Sequence, residues 1–315
     1  MRRFARLLAG SPTRPPERLF VHHHLGLGDT FTCNAVVRRL AGVTSSGELH
    51  LFAKECNAVN VRFLYRDDPR VRVVPLPLSR DSPVGEHALV RAYVAAHGAS
   101  RDEYVRIGFE AMSAIHTKFG QEISCDQSFY VQSGLPYELR FTGFHLKREM
   151  ELEEQAYRRF NPSDQPYSFV DADPARGMVI PSLDAAIMAG AAPGLRRVFN
   201  DPTIPLLQMG LILERAQEIH VCESAIRCLL EGIAVFRLRT RALFLHAYRG
   251  RIWGANTALR WTQVGLGKGD VTRPEPFHQD QAQRSLLDRA TRWAGTSWHC
   301  ELLRCALSHP IREPQ

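Results

Sequence analysis

The sequence predicts an α/β protein built on parallel, doubly wound sheets. Three observations lead to this class. An apolar strand that begins at Leu19 runs through three histidines into a glycine-containing turn, and a helical pattern follows. Apolar runs alternate with helical patterns between residues 48 and 107, and a second alternation begins at residue 167. Strands that alternate with helices at this spacing form parallel sheets.

The first half of the chain contains the elements of one sheet. After the turn Gly26-Leu27-Gly28-Asp29, apolar residues at helical spacing predict a helix. Further strands are predicted at Glu48–Ala53, Val71–Leu76 and Glu103–Ile107, and helices at Asn57–Tyr65 and Glu86–Ala96. Residues 126–144 predict a loop followed by short helices around an aromatic cluster, and Lys147–Phe160 predicts a solvent-facing helix.

The second half repeats this alternation after the linker-like stretch Asn161–Pro166. Strands are predicted at Tyr167–Asp171, Gly177–Ile180, Glu218–Cys222 and Ala242–His246, and helices at Pro205–Ala216, Ser224–Gly232, Ser285–Ala294 and Cys300–Leu307. We therefore expect an N-terminal domain over residues 1–160, a second domain over 161–275 and terminal helices over 276–315.

Composition restricts the classes of function. The chain has 315 residues, a formal net charge of +7 and seven cysteines without a Cys-x-x-Cys pair. No apolar run is long enough for a transmembrane helix, and unpaired cysteines in apolar segments predict a reducing compartment, hence the cytoplasm. The positive charge favours anionic ligands or an anionic membrane surface. Because no basic stripe is interleaved with aromatic residues, nucleic acid is not an expected partner.

The Gly26-Leu27-Gly28-Asp29 turn is the first candidate site. A dinucleotide fingerprint requires a third glycine where Phe31 stands, and the acidic residue expected after the second strand is poorly matched by Glu55. A nicotinamide oxidoreductase is therefore disfavoured. Gly26 and Gly28 are predicted to let a ligand approach the backbone, and Asp29 is either a general base or a helix cap. The absence of a P-loop pattern weakens a phosphoryl or nucleotidyl transferase.

A second strand-to-helix junction lies in the second half. The apolar strand that begins at Glu218 ends at Glu223-Ser224, where a helix begins. Ser224 is a natural helix cap, and the free N–H groups next to it are suited to a phosphate. Two parallel sheets that each present a helix N-terminus at the carboxyl ends of their strands form a cleft where ligands bind.

The chain resembles glycosyltransferases of the GT-B fold, specifically bacterial heptosyltransferase- and fucosyltransferase-like proteins. The resemblance extends over about residues 19–250. It rests on an ordered set of segments, namely His23–Asp29 with Asn34 and Arg38, Phe129-Tyr130, Phe169–Gly177, Glu218–Ser224 and Phe244–Tyr248. Glu223-Ser224-Ala225 departs from the acidic-Ser-Ser triplet of similar proteins, and no arginine motif of true fucosyltransferases is present.

This resemblance implies two Rossmann-like domains that face a central cleft. It implies an inverting sugar transfer from a nucleotide-sugar donor to a glycan or lipid-linked acceptor, with no bound metal and no cofactor. Asp29 matches the catalytic base, and His24, Gly26 and Gly28 lie on the acceptor side. The residues expected to bind the nucleotide sugar are Asp171, Asp173, Arg176, Glu223, Ser224, His246 and Tyr248.

The alternative from a different class is a non-catalytic nucleotide- or glycan-binding protein that keeps this fold. In either case we expect a cytoplasmic protein, with peripheral contact to the anionic inner membrane face as an added expectation from its charge. The three consecutive histidines do not predict a metal site, because only His22 and His24 share one side of a strand. The donor, the acceptor and the oligomeric state do not follow from the sequence.

Overall fold

The computed structural model describes residues 15–45, 47–78, 85–109, 124–171, 191–246 and 257–265. Asp173, Arg176 and Tyr248, the predicted strand at residues 177–180 and the predicted terminal helices lie outside these residues. Within the described residues the chain forms two parallel sheets, each flanked by helices, and the α/β class predicted from the sequence is confirmed.

The first sheet has the strand order β3-β2-β1-β4. Its strands are β1 (Arg18–His22), β2 (Glu48–Lys54), β3 (Val71–Leu76) and β4 (Tyr104–Arg106), and its helices are α1 (Leu27–Thr32), α2 (Asn34–Ala41), α3 (Ala58–Tyr65) and α4 (Glu86–Ala96). All neighbouring strands run parallel. The chain builds β2 and β3 on one side of β1 and then β4 on the other, so the strand order reverses between β1 and β4. Open α/β sheets bind ligands at such a reversal, beyond the carboxyl ends of the strands.

A helical segment connects the two sheets. It contains α5 (Cys125–Ser133), α6 (Leu139–Thr142) and α7 (Met150–Phe160). The sequence predicted a solvent-facing helix at the last of these, but α7 buries Glu153, Ala156, Tyr157 and Phe160, because one of its faces packs against the second lobe. Ser124 and Gln127 form a capping box at the start of α5. Phe129, Tyr130 and Phe141 are buried, so these aromatic residues belong to the core.

The second sheet has the strand order β6-β5-β7-β8-β9, again parallel throughout. Its elements are β5 (Tyr167–Asp171), β6 (Arg196–Phe199), α8 (Gly210–Arg215), β7 (Glu218–Val221), α9 (Ala225–Leu230), β8 (Ala242–His246) and β9 (Thr262–Val264). The order reverses between β5 and β7. Helix α8 is preceded by a 3-10 turn at Leu206–Gln208, so the single helix predicted at Pro205–Ala216 is divided in two.

The two lobes, defined as the two sheets with their helices, are packed together. One buried apolar cluster extends from Leu19 and Val21 in the first sheet to Ile219 and Val221 in the second. Helix α7 packs against α8 of the second lobe. The two sheets fall on either side of the predicted boundary at residue 160, and the domain limits stay predictions. Among the described residues, no helix has both the length and the apolar character needed to span a membrane.

Candidate functional site

Helices α1 and α9 bring the two strand-order reversals together. Helix α1 follows the central strand β1 of the first sheet, and α9 follows β7 of the second; the two helices pack directly against each other. An added Cβ on Gly28 of α1 would lie 3.1 Å from Sγ of Cys228 and 3.7 Å from Cα of Ala225. Gly28 therefore lies at the contact between the two lobes, where a larger side chain would press on Cys228. That it lets a ligand approach the backbone stays a prediction.

Gly26 lies directly before this helix. It is the N-cap residue of α1, with extended backbone angles that any residue adopts. A Cβ on Gly26 would lie 2.5 Å from Oδ2 of Asp29, so the glycine makes room for that carboxylate. Helix α1 begins at Leu27, and Gly28 and Asp29 are therefore helical residues and not part of the turn. No side-chain hydrogen bond caps this helix, so Asp29 is not its N-cap.

Asp29 is the acidic residue in the first turn of α1 and is partly buried. Burial raises the pKa of its carboxyl to about 6, while the electrostatic influence of His24, Arg140 and Lys54 opposes the rise and that of Glu86 adds to it. These four groups come from four places in the fold, namely the β1–α1 loop, α6, the end of β2 and α4. A carboxylate with a pKa near neutrality, still in contact with solvent, has the properties of a general base.

His24 is held in place by neighbouring backbone and aromatic rings. Its Nε2 lies 2.8 Å from the carbonyl oxygen of Gly108, the residue that follows the end of β4 after Ile107. The imidazole lies edge-on to the Phe129 ring at 5.4 Å between centroids and contacts Phe109 at 4.8 Å. His24 and Gly108 therefore face each other across the strand-order reversal of the first sheet.

The other two histidines of the run are structural. His22 ends β1, where its Nε2 is 3.0 Å from Oε1 of Glu86 and its Nδ1 is 2.9 Å from the Tyr104 hydroxyl. His23 donates from Nδ1 to the carbonyl of His24 at 2.5 Å, and burial lowers its pKa to about 4. The described residues contain no group of three or more His, Cys, Asp or Glu side chains that could hold a metal ion.

Asp171 and Ser224 meet at the strand-order reversal of the second sheet. Ser224 caps α9, with Oγ accepting from the backbone N–H of Arg227 at 3.5 Å, and the same hydroxyl donates to Oδ2 of Asp171. Oδ1 of Asp171 accepts a hydrogen bond from Nδ2 of Asn200 at 3.0 Å. Asp171 is buried as the last residue of β5.

Glu223 and His246 complete the predicted donor residues that the structure describes. The Glu223 side chain is 7% exposed and lies 3.5 Å from Nη1 of Arg227. His246 ends β8, is completely buried, and its Nε2 lies 3.1 Å from Nδ1 of His220. Burial and the neighbouring His220 lower the pKa of His246 to about 3, so this ring is neutral. Its burial keeps it away from solvent, and its role toward a donor stays a prediction.

The structure adds three residues to the site that the sequence interpretation did not include. Lys54 ends β2, Gly108 follows β4, and Arg140 lies buried on α6 with its guanidinium against Asp126 and 2.6 Å from the Tyr137 hydroxyl. Lys54 and Gly108 stand at the carboxyl ends of predicted strands, and that position was a usable signal. Arg140 carries no local signal, because only the packing of α6 brings it near Asp29.

Comparison with known proteins gives structural neighbours. No protein-family profile and no curated protein matches the chain. A glycosyl transferase family 9 protein from Veillonella parvula DSM 2008 is 11% identical, with 93% of this chain and 96% of that chain covered and a TM-score of 0.44. The iron-containing dodecameric glycosyltransferase TibC from enterotoxigenic E. coli H10407 is 11% identical, with 74% of this chain and 58% of that chain covered and a TM-score of 0.40. Both similar structures are glycosyltransferases, the class that the sequence resembles.

Proposed function

We propose that the protein is an inverting, metal-independent glycosyltransferase. It would transfer a sugar from a nucleotide-sugar donor to a hydroxyl group of a glycan or lipid-linked acceptor. The observation that carries this proposal is the position of Asp29: a partly buried carboxylate at the strand-order reversal of the first sheet, on the helix that contacts the second lobe. Both lobes then contribute to one cleft, as an enzyme that joins a donor and an acceptor requires.

In this mechanism the Asp29 carboxylate accepts the proton of the acceptor hydroxyl while that oxygen attacks the anomeric carbon of the donor. The bond between the anomeric carbon and the nucleoside diphosphate breaks as the new bond forms. The electron pair of the broken bond leaves with the diphosphate. A single displacement of this kind inverts the configuration at the anomeric carbon. The raised pKa of Asp29 suits the step, since a carboxylate with a pKa of about 6 is a stronger base than an ordinary aspartate.

The donor is assigned to the second lobe. Asp171, Glu223 and Ser224 lie at its strand-order reversal, and Asp173 and Arg176 follow Asp171 in the sequence. Because the carboxylate of Asp171 already binds the Ser224 hydroxyl, we assign phosphate binding to Arg176 and to backbone N–H groups rather than to that hydroxyl. His246 and Tyr248 would lie near the nucleotide. The net charge of +7 suits the diphosphate and a cytoplasmic enzyme in peripheral contact with an anionic membrane.

A panel of nucleotide sugars tests the proposal. A ligand at 100 times its dissociation constant stabilises the folded state by about 2.7 kcal/mol, which raises the melting temperature by several degrees. The donor identified in this way is then supplied with glycan and lipid-linked acceptors, with and without EDTA, and the anomeric configuration of the product is determined by NMR. We expect an inverted product that EDTA does not suppress.

Other outcomes decide against parts of the proposal. A retained configuration contradicts the single displacement. Loss of transfer in EDTA that added metal restores contradicts the metal-independent mechanism. Binding of a nucleotide sugar without transfer or hydrolysis, over the whole acceptor panel, indicates a binding protein with this fold. A panel in which no nucleotide sugar changes the melting temperature contradicts the assignment of the donor class.

A further inference from the structure

The hydrogen bond between His24 and Gly108 determines which ring nitrogen carries the proton. A carbonyl oxygen accepts hydrogen bonds and never donates them. The contact of 2.8 Å between Nε2 of His24 and the Gly108 oxygen therefore requires a proton on Nε2. In the neutral ring Nδ1 is then an acceptor, and in the cationic ring both nitrogens carry protons. The Gly108 peptide thus fixes both the tautomer and the orientation of the imidazole.

Helix α5 holds the backbone of the same residue from the other side. The backbone N–H of Gly108 donates to Oε1 of Gln132 at 2.7 Å, and Gln132 is 5% exposed. A Cβ on Gly108 would overlap the ring of Phe129 and lie 3.2 Å from Cδ2 of His24. Gly108 has a φ of 88°, a left-handed conformation that side chains rarely adopt. The backbone of Gly108 is therefore held by its N–H on the side of α5 and by its carbonyl on the side of the imidazole, with no room for a side chain.

Gln132 uses only one end of its amide in this arrangement. Its Nε2 is buried and has no hydrogen-bond partner in the part of the chain that the structure describes. The opposite amide orientation would aim an N–H donor at the N–H of Gly108, so the assignment of Oε1 is fixed by its partner. A buried donor without a partner lowers stability. The residue therefore stabilises the fold less than an apolar side chain of its size would, and its specific contribution is the bond to Gly108.

His24 interacts with Asp29 electrostatically. After burial, His24 has the largest influence on the pKa of the Asp29 carboxyl, ahead of Arg140, Glu86 and Lys54, and it favours the carboxylate form. The thiols of Cys33, Cys125 and Cys228 are also near Asp29, and burial raises the pKa of each, so they stay neutral. The orientation of the His24 ring therefore influences how readily Asp29 is ionised.

We propose that Gln132 is a positioning residue that acts on the Asp29 base through the backbone of Gly108 and the His24 ring. Its Oε1 holds the N–H of Gly108, the carbonyl oxygen of the same residue orients His24, and His24 in turn favours the carboxylate of Asp29. The proposal rests on the proposed function of Asp29, although its first two contacts are independent of any activity.

The test begins with the unmodified protein. In the ¹⁵N NMR spectrum of its histidines, we expect His24 to show the tautomer with the proton on Nε2. Predominance of the other tautomer would overturn the proposal. In Gln132→Met, which keeps the volume and removes the acceptor, we expect a mixture of tautomers. The substitution removes the unpartnered Nε2 of Gln132 and leaves the N–H of Gly108 without its acceptor. These two effects on stability oppose each other, so the melting temperature stays near that of the unmodified protein.

The pH profile of transfer separates positioning from a structural role. In Gln132→Met we expect the acidic limb of the kcat/KM profile to move to higher pH by about one unit. At pH values on that limb kcat/KM should then fall by about tenfold, while the plateau at higher pH changes little. Gln127→Met is the matched control on the same helix, because Gln127 bonds to the backbone N–H of Ser124 at 2.9 Å and does not contact Gly108. It should lower the melting temperature and leave both the tautomer and the pH profile unchanged.

Each result bears on one of the two proposals. If Gln132→Met changes neither the His24 tautomer nor the acidic limb, the positioning role is refuted. Should that variant fail to fold, Gln132→Glu retains an acceptor oxygen and must retain the Nε2 proton on His24; a changed tautomer there refutes the role equally. If Asp29→Asn retains full transfer while the NMR results hold, the proposed base fails and the contact between Gln132, Gly108 and His24 stands.

Discussion

Replacing Gly26 with alanine should displace the Asp29 carboxylate without unfolding the protein. The new Cβ would lie 2.5 Å from Oδ2 of Asp29. A carbon and an oxygen that are not bonded stay about 3.3 Å apart, so the carboxylate must move by about 0.8 Å. The side chain of Asp29 can rotate by this amount, whereas the backbone of Gly26, at φ −66° and ψ 144°, already suits alanine.

The effect on stability is small because two contributions oppose each other. Alanine is a poorer N-cap than glycine, at a cost of up to about 1 kcal/mol, and it restricts the unfolded chain, a gain of about 0.4–1 kcal/mol. We therefore expect the free energy of unfolding to change by less than about 1 kcal/mol. A displacement of about 1 Å at a reacting group costs about 10²-fold in rate, so kcat for sugar transfer should fall by about that factor.

The assay compares steady-state transfer and urea unfolding in Gly26→Ala and in a matched control. Gly194→Ala is suitable, because a Cβ on Gly194 meets no atom within 4 Å. The control should transfer sugar at the normal rate. If Gly26→Ala is folded and its kcat stays within threefold of the unmodified value, the position of the carboxylate does not limit catalysis and the reasoning fails.

Three further predictions concern the lobe contact and the buried charges. Gly28→Val should lower the free energy of unfolding in urea by about 1–3 kcal/mol, because the methyl groups of valine would enter the space of Cys228. Adding Cys228→Ala should recover part of the loss. An unchanged urea midpoint in Gly28→Val would contradict the tight helix contact. Arg140→Met should cost about 3–5 kcal/mol because it leaves Asp126 without its cation, and adding Asp126→Asn should restore part of it; equal stability of the single and double variants would refute the pairing. Asp29→Asn should raise the melting temperature above pH 6, because the folded-state pKa of Asp29, about 6, exceeds the ordinary value of 3.8. Ionisation of the buried carboxyl destabilises the fold fully above pH 6 and not at all below pH 3.8. A gain that persists unchanged at pH 4 would show that ionisation is not its cause.

The elements that the sequence predicted well are those with a local signal. The strands Val71–Leu76, Tyr167–Asp171 and Ala242–His246 and the helix Glu86–Ala96 have the predicted bounds. Each is an apolar or amphipathic run that ends at turn residues, and such patterns depend only on neighbours in the chain. Parallel pairing followed from their alternation.

The strand Arg196–Phe199 was not predicted, because its signal is weak. It pairs with β5 as the edge of the second sheet, and three of its four residues are exposed. An edge strand buries little, so its sequence shows no apolar run and its two arginines resemble a loop. The three-residue strand Thr262–Val264 is too short for periodicity to appear.

The site residues likewise include some with a local sequence signal and some without one. Asp29 and His24 follow β1 directly, and their position at the carboxyl end of a strand was sufficient to select them. The roles of the two glycines depend on space that no local pattern reports. Gly28 sits inside a helix, where glycine costs about 1 kcal/mol, because a cysteine 200 positions further along the chain requires the gap.

The most direct test of the central claim is the transfer rate of Asp29→Asn at a pH above 6, measured with donor binding in the same samples. Asparagine keeps the shape of the side chain and cannot accept the acceptor's proton. We expect kcat to fall by about 10²–10⁴-fold, while the rise in melting temperature caused by the nucleotide sugar is retained. Unchanged turnover with a folded, donor-binding variant would contradict the assignment of Asp29 as the base.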